Sequence, residues 1–318
     1  MDTQNREKLY LVTGASGYVG GRLVRELLND HKKVRIFVRN AQKIRGQAWA
    51  DKVEIVEGNA SNSQDLDRAL AGVHTAYYLL HSINVATDFG DIESAMAKGF
   101  ANSAERQHVQ QIIYLGGIAN DENRSRHLTS RMNTGTQLAS TSVPVLELRA
   151  GIIIGSGSAS FEMLRHLTHR LPIMTTPKWV SNRTQPIAIR DVLYYLRNAA
   201  NLAKPVNRIC DIGGPEVVTY AKMMQKFSEI SGLRKRIIIQ VPVLTPKLSS
   251  LWIGFVTPVP TSLARPLVES LISEVVVDPR KSISDLIPLP PEGLLTVSQA
   301  IELALTRVAE NHVDTRWS

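Results

Sequence analysis

The sequence predicts a doubly wound α/β fold, with a parallel sheet in its first half and a smaller C-terminal lobe. Three observations lead there. Short apolar runs alternate with helical repeats from Leu9 to Ala150. A glycine-rich turn, Gly14 to Gly21, stands at the first strand–helix junction. After Gly151 the rhythm changes, and prolines crowd in at 242, 246, 258, 260 and 266. The expected division is a core over residues 1–155 and a lobe over 156–318 that completes the same domain.

Each element has its own warrant. Leu9–Thr13 is a short apolar run stopped by glycine, the mark of a buried strand. Val19, Leu23 and Leu27 then recur at helical spacing. Val34–Arg39 and Val53–Val56 read as the next strands, Asp65–Leu70 as a helix and Thr75–Leu80 as the fourth strand. Asp88–Arg106 reads as a long helix with Ile92, Met96, Gly99, Phe100 and Ser103 on one face. Gln111–Leu115 is the fifth strand; Leu128, Met132, Gly135 and Leu138 mark a helix; Val145–Ala150 is the sixth strand. In the lobe, Phe161–Arg170, Val192–Leu202 and Met223–Ile230 read as helices, and Gln185–Ile189, Cys210–Ile212 and Ile237–Val243 as extended.

Composition narrows the function. The chain has 318 residues, 43% of them hydrophobic, enough for a substantial core. Thirty-seven Lys and Arg against 29 Asp and Glu give a net charge of +8, which favours anionic partners such as phosphates or a nucleotide. The basic residues are dispersed and form no arm or helix suited to DNA, so no nucleic-acid partner is expected. Cys210 is the only cysteine, which excludes an internal disulfide and fits a core position in a reducing cytoplasm. His166 and His169 share a predicted helix without a third ligand, and no metal site is expected. The N-terminus lacks a signal-peptide core, and the longest apolar stretch, Leu248–Val259, is too short to span a bilayer. The uncharged run Leu251-Trp252-Ile253-Gly254-Phe255-Val256 reads either as a core helix or as a peripheral membrane or partner contact.

The sharpest signal is Thr13-Gly14-Ala15-Ser16-Gly17-Tyr18-Val19-Gly20, which follows a strand and opens a helix. Gly14 permits the tight turn, Gly17 leaves room for a pyrophosphate, and Gly20 lets helix and strand approach. Such a helix N-terminus offers N–H groups and a positive dipole end to phosphates. The motif therefore predicts a Rossmann dinucleotide site. The second strand ends at Arg39, where an NAD-selective site places an acid for the ribose 2′-hydroxyl. A guanidinium suits a 2′-phosphate, so NADP(H) is preferred, with NAD(H) left open. Lys43 and Arg45 either add charge there or are plain surface. Asn59 reads equally as an adenine contact and as a helix cap. Leu80 and His81, after the fourth strand, and Gly116, ending the fifth, complete the expected cofactor contacts.

With these motifs the chain resembles the short-chain dehydrogenase/reductase superfamily, in its extended and atypical branches. These include NmrA-like proteins, sugar-nucleotide epimerases and the Rossmann accessory subunit of respiratory complex I. Ser125-Arg126-His127-Leu128-Thr129-Ser130-Arg131, Arg149-Ala150-Gly151-Ile152-Ile153-Ile154-Gly155, Val256–Pro260 and Leu263–Leu267 resemble a bacterial group often labelled nucleoside-diphosphate-sugar epimerases. Many of that group carry a further C-terminal domain after a segment like Thr315–Ser318, which leaves open whether this chain is a short member or a truncated one.

The resemblance implies a small-molecule substrate: a carbonyl, quinone or nucleotide sugar. It also implies Ser, Tyr and Lys for proton transfer, and here the chain departs. Gly116-Gly117 stands where the serine is usual, and His127 and Arg131 stand where Tyr-x-x-x-Lys is usual. His127 can carry a proton near neutral pH and Arg131 can donate to a ribose or phosphate, which makes them the candidate catalytic pair. Alternatively both are structural, and the protein is a non-catalytic NADP(H)-binding redox sensor or assembly factor. Tyr77 and Tyr78 are further candidates for the nicotinamide side, and Asp191 for a loop–helix junction.

Overall fold

The computed structural model describes residues 8–80, 89–119, 125–240, 268–269 and 271–310. The first half contains β1 (Leu9–Thr13), α1 (Tyr18–Asn29), β2 (Lys33–Val38), β3 (Glu54–Glu57), α2 (Ser63–Leu70), β4 (Thr75–Tyr78), α3 (Phe89–Arg106), β5 (Gln111–Gly117), α4 (Arg126–Leu138) and β6 (Val145–Ala150). The later half contains β7 (Ile153–Ile154), α5 (Ala159–Arg170), β8 (Ile173–Thr176), β9 (Arg183–Thr184), β10 (Ile187–Ala188), α6 (Ile189–Ala199), β11 (Arg208–Ile212), β12 (Val218–Thr219), α7 (Tyr220–Ile230), β13 (Ile237–Gln240) and α8 (Val297–Ala309).

Seven strands form one parallel sheet in the order β11-β6-β5-β4-β1-β2-β3. The order reverses between β1 and β4, which pair parallel, and in open sheets of this kind ligands bind outside the carboxyl ends of the strands at such a reversal. All five residues of β1 are buried, as expected for a strand covered on both faces. The seventh strand is supplied by residues of the later half. Gln111 stitches the approach to it: its amide nitrogen donates to the Val206 and Pro144 carbonyls at 3.0 and 2.9 Å, and its oxygen accepts from the Val206 N–H at 2.6 Å.

Two compact units emerge: residues 1–116, 130–149 and 193–210, and residues 117–129, 150–192 and 211–318. In the first, Leu11, Leu66, Leu70, Tyr78, Phe100, Ile112, Tyr114 and Leu138 share a core on one face of the sheet. Tyr78 meets Phe100 edge to face at 5.0 Å. In the second, Phe161 of α5 meets Phe227 of α7 at 6.1 Å. There β7 pairs with β10, β9 with β12 and β8 with β13, and a capping box of Thr296 and Gln299 starts α8. Cys210 is fully buried, as its apolar neighbours suggest.

One detail of burial corrects the sequence reading and a second adds to it. On α3 the exposed residue is Ile92, at 43%, while Glu93 is buried at 5%. A helical pattern would place them the other way round. The Ser130 hydroxyl donates to Glu93 Oε2 at 2.6 Å and so satisfies the buried carboxylate. On β6 all six residues of Val-Leu-Glu-Leu-Arg-Ala are buried, the two charged ones included. Glu147 and Arg149 lie on one side of the strand and pair at 2.7 Å.

Candidate functional site

The glycine turn is built by close backbone approach. Gly14 has φ +68°, and a Cβ there would lie 2.5 Å from the Leu79 carbonyl oxygen. A Cβ on Gly20 would lie 2.2 Å from the Gly14 oxygen, so only glycine lets α1 fold back against its own entry turn. Gly17 differs: its Cβ would meet only the Gly14 oxygen, at 3.2 Å, and the residue is exposed. Its bare face opens outward.

The start of α1 is prepared for an anion. Gly17 is the N-cap, extended in backbone, with no side-chain cap bond and no acid in the first turn. The first N–H groups and the positive end of the helix dipole therefore lack an intrinsic counter-charge. Ala15 is buried, Ser16 is exposed, and Tyr18 and Val19 are half-buried. The Arg22 guanidinium lies 4.1 Å over the Tyr18 ring and donates to the Tyr18 carbonyl at 3.0 Å. These residues fit a dinucleotide pyrophosphate: a cradle that a Cβ would fill, beside an uncapped helix N-terminus.

Past the end of β2, Arg39 is exposed. Next to it Asn40 accepts from the Gln42 N–H at 2.8 Å, and the Glu57 carboxylate accepts from the Ala41 N–H at 3.0 Å. Glu57 is thus held by backbone beside the arginine. Asn59 is exposed, and its Oδ1 accepts from the Ser61 N–H at 3.0 Å. Leu80 lines a small cavity with Tyr78, Glu93, Met96 and Thr134. His81 lies outside the described residues, as does the Leu251–Val256 run.

Other candidates are occupied by structure. Tyr77 is fully buried and donates to the Leu196 carbonyl at 3.0 Å. Burial pushes the hydroxyls of Tyr77 and Tyr78 well above the usual tyrosine range, which keeps them protonated. Gly116 is buried, and a Cβ on it would come within 2.7 Å of Glu147 Oε1. Gly135 of α4 is even tighter, 2.3 Å from Glu147 Oε2. Both glycines make room for the Glu147–Arg149 pair, a buried ionic group that no motif in the sequence announced. Asp191 is fully buried, bonded to Arg190 at 2.6 Å and to the Leu295 N–H at 2.9 Å.

His127 sits half-buried on the first turn of α4, one turn ahead of Arg131. Arg131 donates to the Leu115 carbonyl, and its guanidinium lies 5.3 Å from the Tyr114 ring. The Tyr114 hydroxyl in turn donates to the Arg131 carbonyl at 2.9 Å. Burial pushes that hydroxyl up to about 12, against the opposing Arg131 charge. Arg131 is therefore anchored to the end of β5.

Comparison with known proteins accords with this geometry. Residues 14–141 match a family described as NAD(P)H-binding. A ceramide reductase of Caulobacter vibrioides is 24% identical over 232 residues, 71% of this chain and 72% of that protein. The triphenylmethane reductase of Citrobacter sp. superposes with a TM-score of 0.74 at 18% identity, covering 94% of this chain and 99% of that one. That enzyme has also been seen complexed with NADP(H). The Bordetella bronchiseptica enzyme WbmG, in complex with NAD, gives a TM-score of 0.74 at 12% identity over 98% and 97% of the two chains. No helix among the described residues is long and apolar enough to cross a membrane. The match over residues 14–141 to an NAD(P)H-binding family and the likeness to these solved structures agree with the Rossmann-type α/β fold of this chain.

Proposed function

We propose that the protein is an NADP(H)-dependent oxidoreductase acting on a carbonyl or quinone. The observation that carries the cofactor choice is Arg39, exposed just past β2 where an NAD-selective site has an acid. Gly14 to Gly20 and the uncapped start of α1 would hold the pyrophosphate, Arg39 the 2′-phosphate, and the Asn59 amide the adenine. The bound nicotinamide supplies reducing equivalents. His127 would hold or release the proton at the substrate oxygen, since an imidazole can do so near neutral pH. Arg131 would position α4 through its bonds to β5. A nucleotide sugar stays on the substrate panel, and the relative named for ceramide adds a long-chain lipid carbonyl.

A second reading has support of its own. Arg131 is turned onto the Leu115 carbonyl and the Tyr114 ring, and Gly116-Gly117 offers no hydroxyl. Those features suit a protein that binds NADP(H) and senses or assembles rather than reduces.

The experiment is a fluorescence titration with NADPH and NADH on wild type and Arg39→Ala. NADPH binding is expected to weaken roughly tenfold or more in the variant, as one charge-assisted phosphate contact is lost, with NADH little changed. A carbonyl and quinone screen then follows, with His127→Ala as control. Equal loss for both cofactors would remove the Arg39 assignment; tight NADPH binding without turnover on any substrate would favour the second reading.

A further inference from the structure

The loop that follows β2 is basic and carries no acid of its own. Residues 39–50 include Arg39, Lys43 and Arg45, all exposed, and no aspartate or glutamate. The far part of this loop is anchored by burial, at Ile44 and Trp49. The near part lacks such an anchor: Arg39, Asn40 and Gln42 are exposed and Ala41 is half-buried. Two side chains shape it instead. Asn40 accepts from the Gln42 N–H at 2.8 Å, a bond within the turn. The Glu57 carboxylate accepts from the Ala41 N–H at 3.0 Å, a bond that reaches across from β3.

Glu57 is itself firmly placed. It pairs with Val38 in the sheet, and the next N–H, that of Gly58, donates to the Val38 carbonyl at 3.0 Å. From the other side α2 holds the end of β3. Arg68 donates to the Glu57 carbonyl at 3.2 Å and to Asp65 at 2.6 Å, and Asp65 accepts from the Asn59 N–H at 2.9 Å. Gly58 permits this close approach, since a Cβ there would lie 2.8 Å from the Asp65 Cβ. A carboxylate on a clamped strand end thus fastens the near part of the loop through a charge-assisted bond.

We propose that Glu57 is a positioning residue for cofactor choice: its bond to the Ala41 N–H holds the Arg39 turn in one conformation, ready for a ribose 2′-phosphate. The inference rests on the reading of Arg39 as the group that meets this phosphate. An exposed arginine on a loose turn loses backbone and rotamer freedom when it closes on an anion. Fixing the backbone at Ala41, two residues on, removes part of that loss before the cofactor arrives. The advantage goes to NADP(H) alone, because NAD(H) has no phosphate for Arg39 to meet. The charge of Glu57 works the other way, since a carboxylate repels a phosphate. The benefit therefore comes from the hydrogen bond and not from the charge, and substitutions separate the two.

The test is fluorescence titration with NADPH and NADH of the full chain as wild type, Glu57→Ala, Glu57→Gln, Arg39→Ala and Arg39→Ala/Glu57→Ala. Glu57→Ala is expected to weaken NADPH binding roughly three- to tenfold with NADH unchanged, as one positioning hydrogen bond is lost. Glu57→Gln keeps an oxygen for the Ala41 N–H and is expected to bind NADPH at least as well as wild type. Once Arg39 is alanine, loss of Glu57 is expected to have no further effect on NADPH, because no guanidinium is left to place. Circular dichroism melting curves report the fold of each variant. Glu57→Ser, too short to reach Ala41, replaces the alanine variant should that one fail to fold. Four outcomes overturn the proposal: unchanged NADPH affinity in Glu57→Ala, equal weakening of both cofactors there, a loss in Glu57→Gln as large as in Glu57→Ala, or additive losses in the double variant. A selective NADPH loss in Arg39→Ala beside any of these leaves the cofactor reading standing, whereas an unselective one removes both.

Discussion

The Thr13 hydroxyl donates to the Tyr77 carbonyl at 3.0 Å, tying the last residue of β1 to β4 one residue before the glycine turn. The same oxygen accepts from the Leu79 N–H at 2.9 Å. Thr13 is fully buried and its bond to Tyr77 is made away from water, while Leu79 is half-buried. The two bonds hold the Leu79 carbonyl where Gly14 must pass it. Thr13→Val keeps the shape but removes the partner of the buried Tyr77 carbonyl and of the Leu79 N–H, which costs about 1–3 kcal/mol. Urea unfolding is expected to show that loss together with weaker NADPH binding; a variant as stable as wild type would show the clamp to be idle.

Gly17 and Gly20 separate cofactor room from packing room. Gly20→Ala puts a methyl 2.2 Å from the Gly14 oxygen and forces backbone to move. It is expected to lower the thermal midpoint by several degrees, in line with an overpacking cost of about 1–3 kcal/mol. Gly17→Ala meets one atom at 3.2 Å and should leave the melting curve near wild type while cutting NADPH affinity roughly tenfold or more. Parallel melting curves and titrations of the two variants decide the matter, and it fails if both variants behave alike.

Breaking the Glu147–Arg149 pair has a different signature. Both side chains are under a tenth exposed, so Glu147→Gln leaves a buried guanidinium without its counter-charge, at a cost of about 3–5 kcal/mol. Replacing both, as Glu147→Leu with Arg149→Met, is expected to recover most of that loss, because apolar groups of similar volume need no partner. Denaturant midpoints of the single and double variants measure it. A single variant within about 1 kcal/mol of wild type would show the pair to be energetically neutral.

These cases show what the sequence could and could not reveal. β1, α1 and β6 were legible because their apolar spacing and the glycine turn are local signals, and β6 was read to the residue, Val145–Ala150. β8 and the pair β9–β12 were missed, since strands of two to four residues carry too little periodicity. The capping box that starts α8, Thr296 to Gln299, is a local signal that the sequence carries. Ile92, placed by its spacing on the packed face of α3, is exposed, and the burial of Glu93, Glu147 and Arg149 carries no local signal, because it is decided by the residues packed around them. At the site, the Gly14–Gly20 turn could be read from its motif; the mutual dependence of Gly116, Gly135 and Glu147 could not.

Acid stability should report on Glu162 of α5. Burial pushes its carboxyl up, but hydrogen bonds from His166, Arg165 and the Gly157 N–H outweigh that and hold it below the usual carboxylate range. A folded value below the unfolded 4.5 means that the charged form stabilises the fold above about pH 4.5, and that this contribution is lost as pH falls through the folded value. Glu162→Gln should therefore unfold at lower urea than wild type at pH 7, with the gap closing in acid. A gap that stays constant down to pH 3 would show that charge is not involved.

The seventh strand sets an order on biosynthesis. β6 ends at Ala150, and the strand that covers its free edge begins at Arg208. While residues 151–207 are being made, for roughly 3–12 s at ribosomal speed, the emerging chain presents β6 as an open strand. Nascent chains on one messenger carry the same unfinished edge side by side, with backbone N–H and C=O groups ready to pair with one another. A translational stall before Arg208 is the moment at which this protein is most exposed to aggregation.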